Sequence, residues 1–259
     1  MDSSRRHIRY TDRHKGRGAE YHESFSPTVN PYRAMVWRLE RRALDEILRR
    51  HLGTRPVTHL DFACGTGRVL EHLGDRVSAA TGVDVSPSMM EVARKVAPQA
   101  ELVEADLTQQ DPLGDRRFDL ITAFRFFPNA EPDLRRAIFS VLARHLSPKG
   151  VLVFNNHKNR NSLRARFARL RGRGDPTGTM TDAEVTELLP QAGLRILAIV
   201  PVASLPLSER HVVAPVWLVE PLERLLGGWS PLAGLAQDII YVCGRSETQA
   251  QSNSSPSQR

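Results

Sequence analysis

The sequence predicts an α/β fold built on one doubly wound, mostly parallel sheet, on three observations. From residue 57 onward, short β-type runs alternate with amphipathic helical patterns. The first run leads into a glycine turn that opens a helix, HLDFACGTGRVLEHL, His59 to Leu73. Aspartates stand at or near the ends of the first three runs, Asp61, Asp84 and Asp106, on the edge where open α/β sheets hold their ligands.

The runs are VTHLDFA, VSAATGVDV, AELVEAD, FDLITAF, GVLVFNN, LRILAIV and DIIYVCG, enough for one seven-stranded sheet. Between them GRVLEHLGD, SPSMMEVARKV and DLRRAIFSVLARHLS carry apolar residues at three- and four-residue spacing, as helices covering both faces require. Ser86-Pro87 and Glu131-Pro132 put proline where a helix starts and its missing N–H costs least. Gly150, behind Pro148, reads as the close of the helix before the fifth run. A further helix is expected from about Pro31 to His51, and another over TDAEVTELLPQAG. The expected organisation is an N-terminal helical extension over 1–56, an α/β domain over 57–245 with insertions at 157–180 and 202–236, and a disordered tail over 246–259, whose composition is polar and of low complexity.

With 259 residues, 41% hydrophobic and 25% charged, the chain is long enough for a substantial core, and no apolar run reaches the roughly 18 residues of a membrane span. The N-terminus is polar and basic, without the apolar stretch of a secretory signal, so a cytoplasmic protein is expected. Cys64 and Cys243 have no metal-ligand spacing, and neither a metal site nor disulfide scaffolding is expected. The net charge of +7 is unevenly placed. Residues 1–55 hold 13 basic and 7 acidic side chains, residues 157–174 hold 7 basic and none acidic, and the remainder is net negative. Two basic segments on an acidic body suggest an anionic partner.

Three ligands use a glycine turn of this kind. A triphosphate loop needs Lys-Ser/Thr after its last glycine, and Gly67 is followed by Arg68-Val69. The dinucleotide fingerprint wants a third glycine where Leu70 stands. The carboxylates discriminate better: Asp84 ends the second run 17 residues past Gly67, where it can accept both hydroxyls of a ribose, and Asp106 ends the third. The competing reading is that both aspartates only cap the helices behind them.

From about residue 57 to 156, and more loosely to 244, the chain resembles the class I S-adenosylmethionine-dependent methyltransferases. Their turn reads (D/E)xGxGxG, and Asp61-Phe-Ala-Cys-Gly65-Thr-Gly67 matches it except for Ala63 at the first glycine. The second-strand acid, the third-strand acid and the FD that opens the fourth strand are matched by Asp84, Asp106 and Phe118-Asp119. The resemblance implies a Rossmann-like three-layer αβα domain with the last strand antiparallel, and S-adenosylmethionine as cofactor with S-adenosylhomocysteine as product. It implies that Asp61 attracts the ammonium or organises the loop, that Ala63, Gly65, Gly67 and Arg68 border the ligand, and that Asp84 holds the ribose. Asp106 would meet the adenine amino group, and Val85, Met89 and Leu107 would sandwich the ring. Phe124, Arg125 and Phe126 would border the methionine half and the transferring methyl. Tyr10, Tyr21, His22, Tyr32 and Arg33 would form a lid, as similar N-terminal segments do. A catalytically silent protein of this fold, acting as a binding partner, is the competing class.

Methyl transfer draws most of its acceleration from alignment, so a base is needed chiefly by a hydroxyl acceptor. His157, directly behind FNN, is the leading base candidate, and His211 with Glu209 in LPLSERH the second. The (D/N/S)PP(Y/F) tetrapeptide of many methyltransferases acting on planar nitrogens is absent; the corresponding region reads FRFF. The cast of the chain is similar to methyltransferases acting on small molecules and glycans, and the expected acceptor is a hydroxyl of a sugar or a secondary or lipid-linked metabolite, with RNA or an amine as the alternative. The basic stretch 157–174 places Leu163, Phe167 and Leu170 at helical spacing among arginines. It is open to three readings: a cover over the active site, a contact with an anionic membrane surface, or a clamp for RNA phosphates, nucleic acid ranking last. The oligomeric state is left open.

Overall fold

The computed structural model describes residues 16–172, 180–207, 215–227 and 230–246. Two N-terminal helices, α1 (Gly18–Glu23) and α2 (Pro31–His51), precede the alternating part: β1 (Thr58–Phe62), α3 (Arg68–Leu73), β2 (Ala79–Asp84), α4 (Pro87–Val96), β3 (Glu101–Glu104), β4 (Phe118–Ala123), α5 (Pro132–His145), β5 (Leu146–Asn156), α6 (Leu163–Leu170), α7 (Asp182–Gln191), β6 (Leu194–Ala203), α8 (Val216–Gly227) and β7 (Asp238–Arg245). All seven expected strands are present in one sheet of order β3-β2-β1-β4-β5-β7-β6. β1 to β5 pair in parallel, and β7 runs antiparallel between β5 and β6. The order reverses at β1, so the carboxyl ends of β1, β2 and β4 open the crevice in which such sheets bind ligands.

Each face of the sheet carries its own apolar cluster. On one, Phe127 stacks on Phe139 at 4.0 Å and Phe154 on Tyr241 at 5.1 Å, beneath α5 and α7. On the other, Met35, Leu39, Leu44 and Ile47 of α2 cover Leu120, Val153 and Val242. α2 starts where proline fits the first turn and Asn30 Oδ1 accepts from the Arg33 N–H at 2.9 Å, and it ends in Arg49, Arg50 and His51, which complement the negative end of its dipole. α7 is opened by a reciprocal capping box between Thr181 and Glu184. Among the described residues no helix is long and apolar enough to cross a membrane.

One expectation needs correction. Gly150 does not close a helix: α5 ends at His145, and β5 begins at Leu146 and runs through the Ser-Pro-Lys-Gly stretch. A Cβ at Gly150 would stand 2.9 Å from the carbonyl of Phe118 and 3.0 Å from that of Asp119, so glycine serves here to let β4 approach β5. The basic stretch forms a helix, α6, capped by Ser162, with Phe167 48% and Leu170 82% exposed. Glu209, His211 and Tyr10 lie outside the described residues, as does the tail from 247.

Candidate active site at the carboxyl end of the sheet

The turn behind β1 is held in the left-handed region at three positions, with φ +53° at Ala63, +55° at Gly65 and +79° at Gly67. Ala63 therefore carries a side chain where glycine is at ease, a cost of roughly 1 kcal/mol. Gly67 is constrained twice over, because a Cβ there would also meet Ala93 of α4 at 3.2 Å. The Gly65 N–H donates to Asp84 Oδ2 at 2.8 Å and the Ser86 N–H to Asp84 Oδ1 at 2.9 Å, so this carboxylate fastens the turn to the end of β2. Asp106 accepts from the backbone N–H and hydroxyl of Thr108 at 2.9 and 2.6 Å. Both aspartates thus organise their own loops, as the capping reading required, and both also line a cleft.

That cleft has apolar walls from Phe62, Val83 and Val85 on one side and Leu107, Leu134 and Ile138 on the other. Phe126, packed edge-on to Phe62 at 4.9 Å, completes it, and Asp84 and Asp106 are its polar groups. Among the described residues no lysine or arginine lines it, so it suits a planar apolar ring with hydroxyl and amino donors, and not a phosphate. Of the residues expected around the cofactor, Ala63, Asp84, Val85, Asp106, Leu107 and Phe126 line this cleft. Met89 is buried, Phe124 packs in the cluster beneath α2, and neither borders the cleft. Leu134 and Ile138 went unread because their helical spacing is that of any core-facing helix. A larger cavity of about 430 Å³ lies between α2, β6 and α8 and shares no lining residue with the cleft.

Asp61 stands near the end of β1, just before the turn. Its Oδ1 accepts from the Thr122 hydroxyl at 2.6 Å, which accepts in turn from His59 Nε2 at 2.8 Å, while its Oδ2 is buried with no hydrogen-bond partner. Burial, reinforced by the nearby Asp84 charge, raises the Asp61 pKa to about 7 against the opposing pull of Thr122 and Arg68. Burial alone lowers His59 to about 3, so that ring is neutral.

α1 and the start of α2 lie over the turn: His22 Nδ1 is 3.3 Å from Thr66 Oγ1, and the Gly16 N–H donates to Ser88 Oγ at 3.1 Å. Tyr21 sits edge-on to Phe25, whereas Tyr32 is 4% exposed with its hydroxyl directed at the Leu207 carbonyl, which makes it a core residue and not a mobile cover. Arg68, 8% exposed, stacks over Phe25 at 3.3 Å and Trp37 at 4.7 Å, and its Nη1 is buried without a partner. Burial lowers its pKa to about 10, so it stays charged at neutral pH.

Behind β4 and β5, around the expected Arg125 and His157, stand three residues that the sequence reading missed, Glu40, Asn155 and Asp238. Arg125, at φ +62°, is fixed by its N–H to Asn155 Oδ1 at 2.6 Å and by its Nη2 to Glu40 Oε1 at 3.2 Å. Asn155 Nδ2 donates to Glu40 at 3.0 Å and to Asp238 at 3.2 Å, and all three side chains are buried. Burial, with Glu40 beside it, raises the Asp238 carboxyl well above its ordinary range. A signal was present: Glu40 interrupts the apolar face Val36, Leu44, Ile47, and Asn155 and Asp238 are polar positions in otherwise apolar strands. His157 is half-buried behind β5 with Nε2 3.5 Å from Asn129 Nδ2 and Nδ1 enclosed without a partner. Burial first, and then the charges of Arg125, Lys158 and Arg33, drive its pKa well below the usual value, so the ring is neutral.

Comparisons with known proteins bear on the family and the fold. Residues 60–150 match a family model described as a methyltransferase domain. The chain is 32% identical over 145 residues to dTDP-3-amino-3,6-dideoxy-alpha-D-glucopyranose N,N-dimethyltransferase of Streptomyces fradiae, covering 54% of this chain and 48% of the relative. It is 40% identical over 99 residues to trans-aconitate 2-methyltransferase of Escherichia coli O1:K1 / APEC, 36% of each chain. The chain thus spans about half or less of the length of these relatives. Its fold is similar to that of magnesium protoporphyrin IX methyltransferase from Synechocystis PCC 6803 with bound SAH, with a TM-score of 0.65 at 15% identity over 91% of this chain and 98% of the other. It is also similar to an S-adenosylmethionine-dependent methyltransferase from Clostridium acetobutylicum ATCC 824, with a TM-score of 0.58 at 16% identity over 81% and 92%.

Proposed function

The segment 60–150 is a class I S-adenosylmethionine-dependent methyltransferase domain, and on that premise we propose that this chain methylates a hydroxyl of a small-molecule acceptor, a sugar or a related metabolite. The observation that carries the cofactor half is the cleft with its two carboxylates beside a turn that leaves Asp61 Oδ2 unpartnered. Asp84 would hold the ribose, Asp106 the adenine amino group, the Phe62 and Leu107 walls the ring, and Asp61 the ammonium. When bound, S-adenosylmethionine supplies an electrophilic methyl on a cationic sulfur.

What the chain itself contributes is alignment and proton management. Arg125 and His157 follow β4 and β5, one and two strands from β1, and in this reading they would border the transferring methyl. His157, neutral and enclosed, is the group in position to take the proton that a hydroxyl loses as it attacks. A second reading, transfer to an amine, is favoured by the relatives named for N,N-dimethylation of amino sugars; there the cations around His157 would keep the amine unprotonated and nucleophilic.

Methyl transfer from labelled cofactor to a panel of sugar nucleotides, hydroxylated and aminated, tests both. Under the hydroxyl reading His157→Ala lowers kcat by roughly 10²–10⁴-fold with S-adenosylhomocysteine affinity unchanged. Under the amine reading the loss stays under about tenfold, because alignment alone suffices. A folded protein that binds neither S-adenosylmethionine nor its product contradicts both.

A further inference from the structure

Helix α8 presents its apolar face outward. Trp217, Leu218, Pro221, Leu222 and Leu225 follow the i, i+1, i+4, i+5, i+8 spacing that gathers side chains on one side of a helix. All five are exposed, Trp217 and Leu225 to 72% each. The carboxylates of the same helix point the other way. Glu223 is buried and accepts from the backbone N–H groups of Ser204 and Leu205 at 2.7 and 3.0 Å. Glu220 is buried against α2, where it accepts from Arg38 at 2.7 Å and Arg42 at 3.4 Å, and from Arg224 of its own helix at 2.7 Å. A helix that meets only water on its outer side has the opposite pattern. A contiguous apolar face on the order of a few hundred Å² marks contact with something beyond the chain.

The border of this face is positive. Between α8 and α2 lies the cavity of about 430 Å³, lined by Arg42, Arg50 and Arg224 together with Glu46 and Glu223. Glu220 is shared by three arginines, and Glu46 of α2 is shared in the same way by Arg49 and Arg50. Among the described residues of this border, five guanidinium groups therefore stand against three carboxylates, the buried Glu223 included. Asp45, the neighbouring acid on α2, is matched by Arg76.

We propose that α8 and the arginines beside it form a docking surface for an anionic lipid bilayer. The face from Trp217 to Leu225 enters the boundary between headgroups and acyl chains, where tryptophan is at home, and the arginines meet the anionic headgroups. A second copy of the chain fits this face less well. A symmetric contact would bring the positive border of one copy to that of the other. The apolar face also falls short of the roughly 800 Å² per partner that a stable dimer buries. β6, the sheet edge beside α8, carries Pro201 and register irregularities at Ile196/Ala198 and Pro201/Ala203, which blunt it against pairing with another strand. The position of α8 gives the contact a use. β6 runs parallel to β5, so its last residue, Ala203, lies at the same edge of the sheet as the cofactor cleft, and the Glu223 contacts to Ser204 and Leu205 tie α8 to that edge. The surface shares no residue with the cleft and stands independently of the reaction proposed above.

The test is co-sedimentation of the full chain with vesicles of phosphatidylcholine alone and of phosphatidylcholine mixed equally with phosphatidylglycerol. Binding to the anionic vesicles is expected, tighter than to the neutral ones by about tenfold or more. It should weaken as salt rises from about 0.1 to about 1 M and the screening length falls from about 10 to about 3 Å. Trp217→Ser combined with Leu225→Ser, both at exposed positions, is expected to weaken binding by at least about tenfold while S-adenosylhomocysteine affinity stays unchanged. Arg224→Gln should weaken binding to the anionic vesicles alone, and thermal melting verifies that each variant is folded. Absence of binding to either vesicle overturns the proposal, as does undiminished binding by the double variant, which would move the contact off α8. Equal binding to both vesicles would overturn the anionic surface as the occupant. A dimer in analytical ultracentrifugation that the double variant dissociates, without vesicle binding, would also overturn it and assign the face to a second copy.

Discussion

Asp61 offers a quantitative test, because its environment ties stability and cofactor affinity to the same proton. The side chain is 2% exposed, one oxygen accepts from Thr122 and the other has no partner, and burial raises its pKa from 3.8 to about 7. In the unfolded chain the group ionises near 3.8, so between that value and about 7 the folded state binds one more proton than the unfolded state. The stability this proton confers is fully present below pH 3.8 and is lost as pH rises through about 7, a slope near 1.4 kcal/mol per pH unit and a total of about 4 kcal/mol. The perturbation is Asp61→Asn, which keeps an acceptor for Thr122 and removes the titration. The assay is urea unfolding of both proteins from pH 4.5 to 8.5. The wild-type stability is expected to fall relative to the variant up to about pH 7 and to run parallel above it. Cofactor affinity should move the other way, rising through the same interval in the wild type as the carboxylate ionises to meet a cation, and staying weak in the variant. Stability curves that run parallel between pH 5 and 7 would refute the reasoning, since Asp61 would then be ionised throughout.

Two further expectations follow from the turn and the cluster beside it. Gly67→Ala places a Cβ at φ +79° and 3.2 Å from Ala93, and should cost about 1–3 kcal/mol in denaturant unfolding; an unchanged midpoint would show that the turn relaxes freely. Arg68→Met removes a cation stacked on two rings but also a buried guanidinium with an unpartnered nitrogen, so its stability should stay within about 1 kcal/mol of wild type; a loss above about 3 kcal/mol would mean that Arg68 is a structural tie.

The cofactor half was legible in the sequence because its geometry is local. Strand, turn and helix are adjacent in HLDFACGTGRVLEHL, and the residue behind each strand falls at the same edge of the sheet, so Asp61, Asp84 and Asp106 had to lie together once the strands were read. Ala63 shows the limit of a motif: its departure from glycine was visible, but only the backbone shows that the position sits at positive φ. Around Arg125 and His157, which were read, the partners were not legible, because they come from distant segments. Phe25 gathers arginines numbered 33, 68 and 125, and Glu40 meets Asn155 and Asp238 across the sheet. Nothing in residue spacing announces such contacts, although a lone Glu40 on the apolar face of α2 was an available warning. The basic helix α6 was read as a helix, but amphipathic spacing predicts a stripe and not what covers it, and Phe167 and Leu170 are exposed.

The most direct measurement of the central claim is a calorimetric titration of the purified chain with S-adenosylhomocysteine, alongside Asp84→Ala. One site per chain is expected, weakened by about 100-fold or more in the variant, which loses a carboxylate that faces the cleft and fastens the turn, a difference of about 2.7 kcal/mol. A folded wild-type protein that gives no binding heat, or an Asp84→Ala variant that binds as tightly as wild type, would contradict the account.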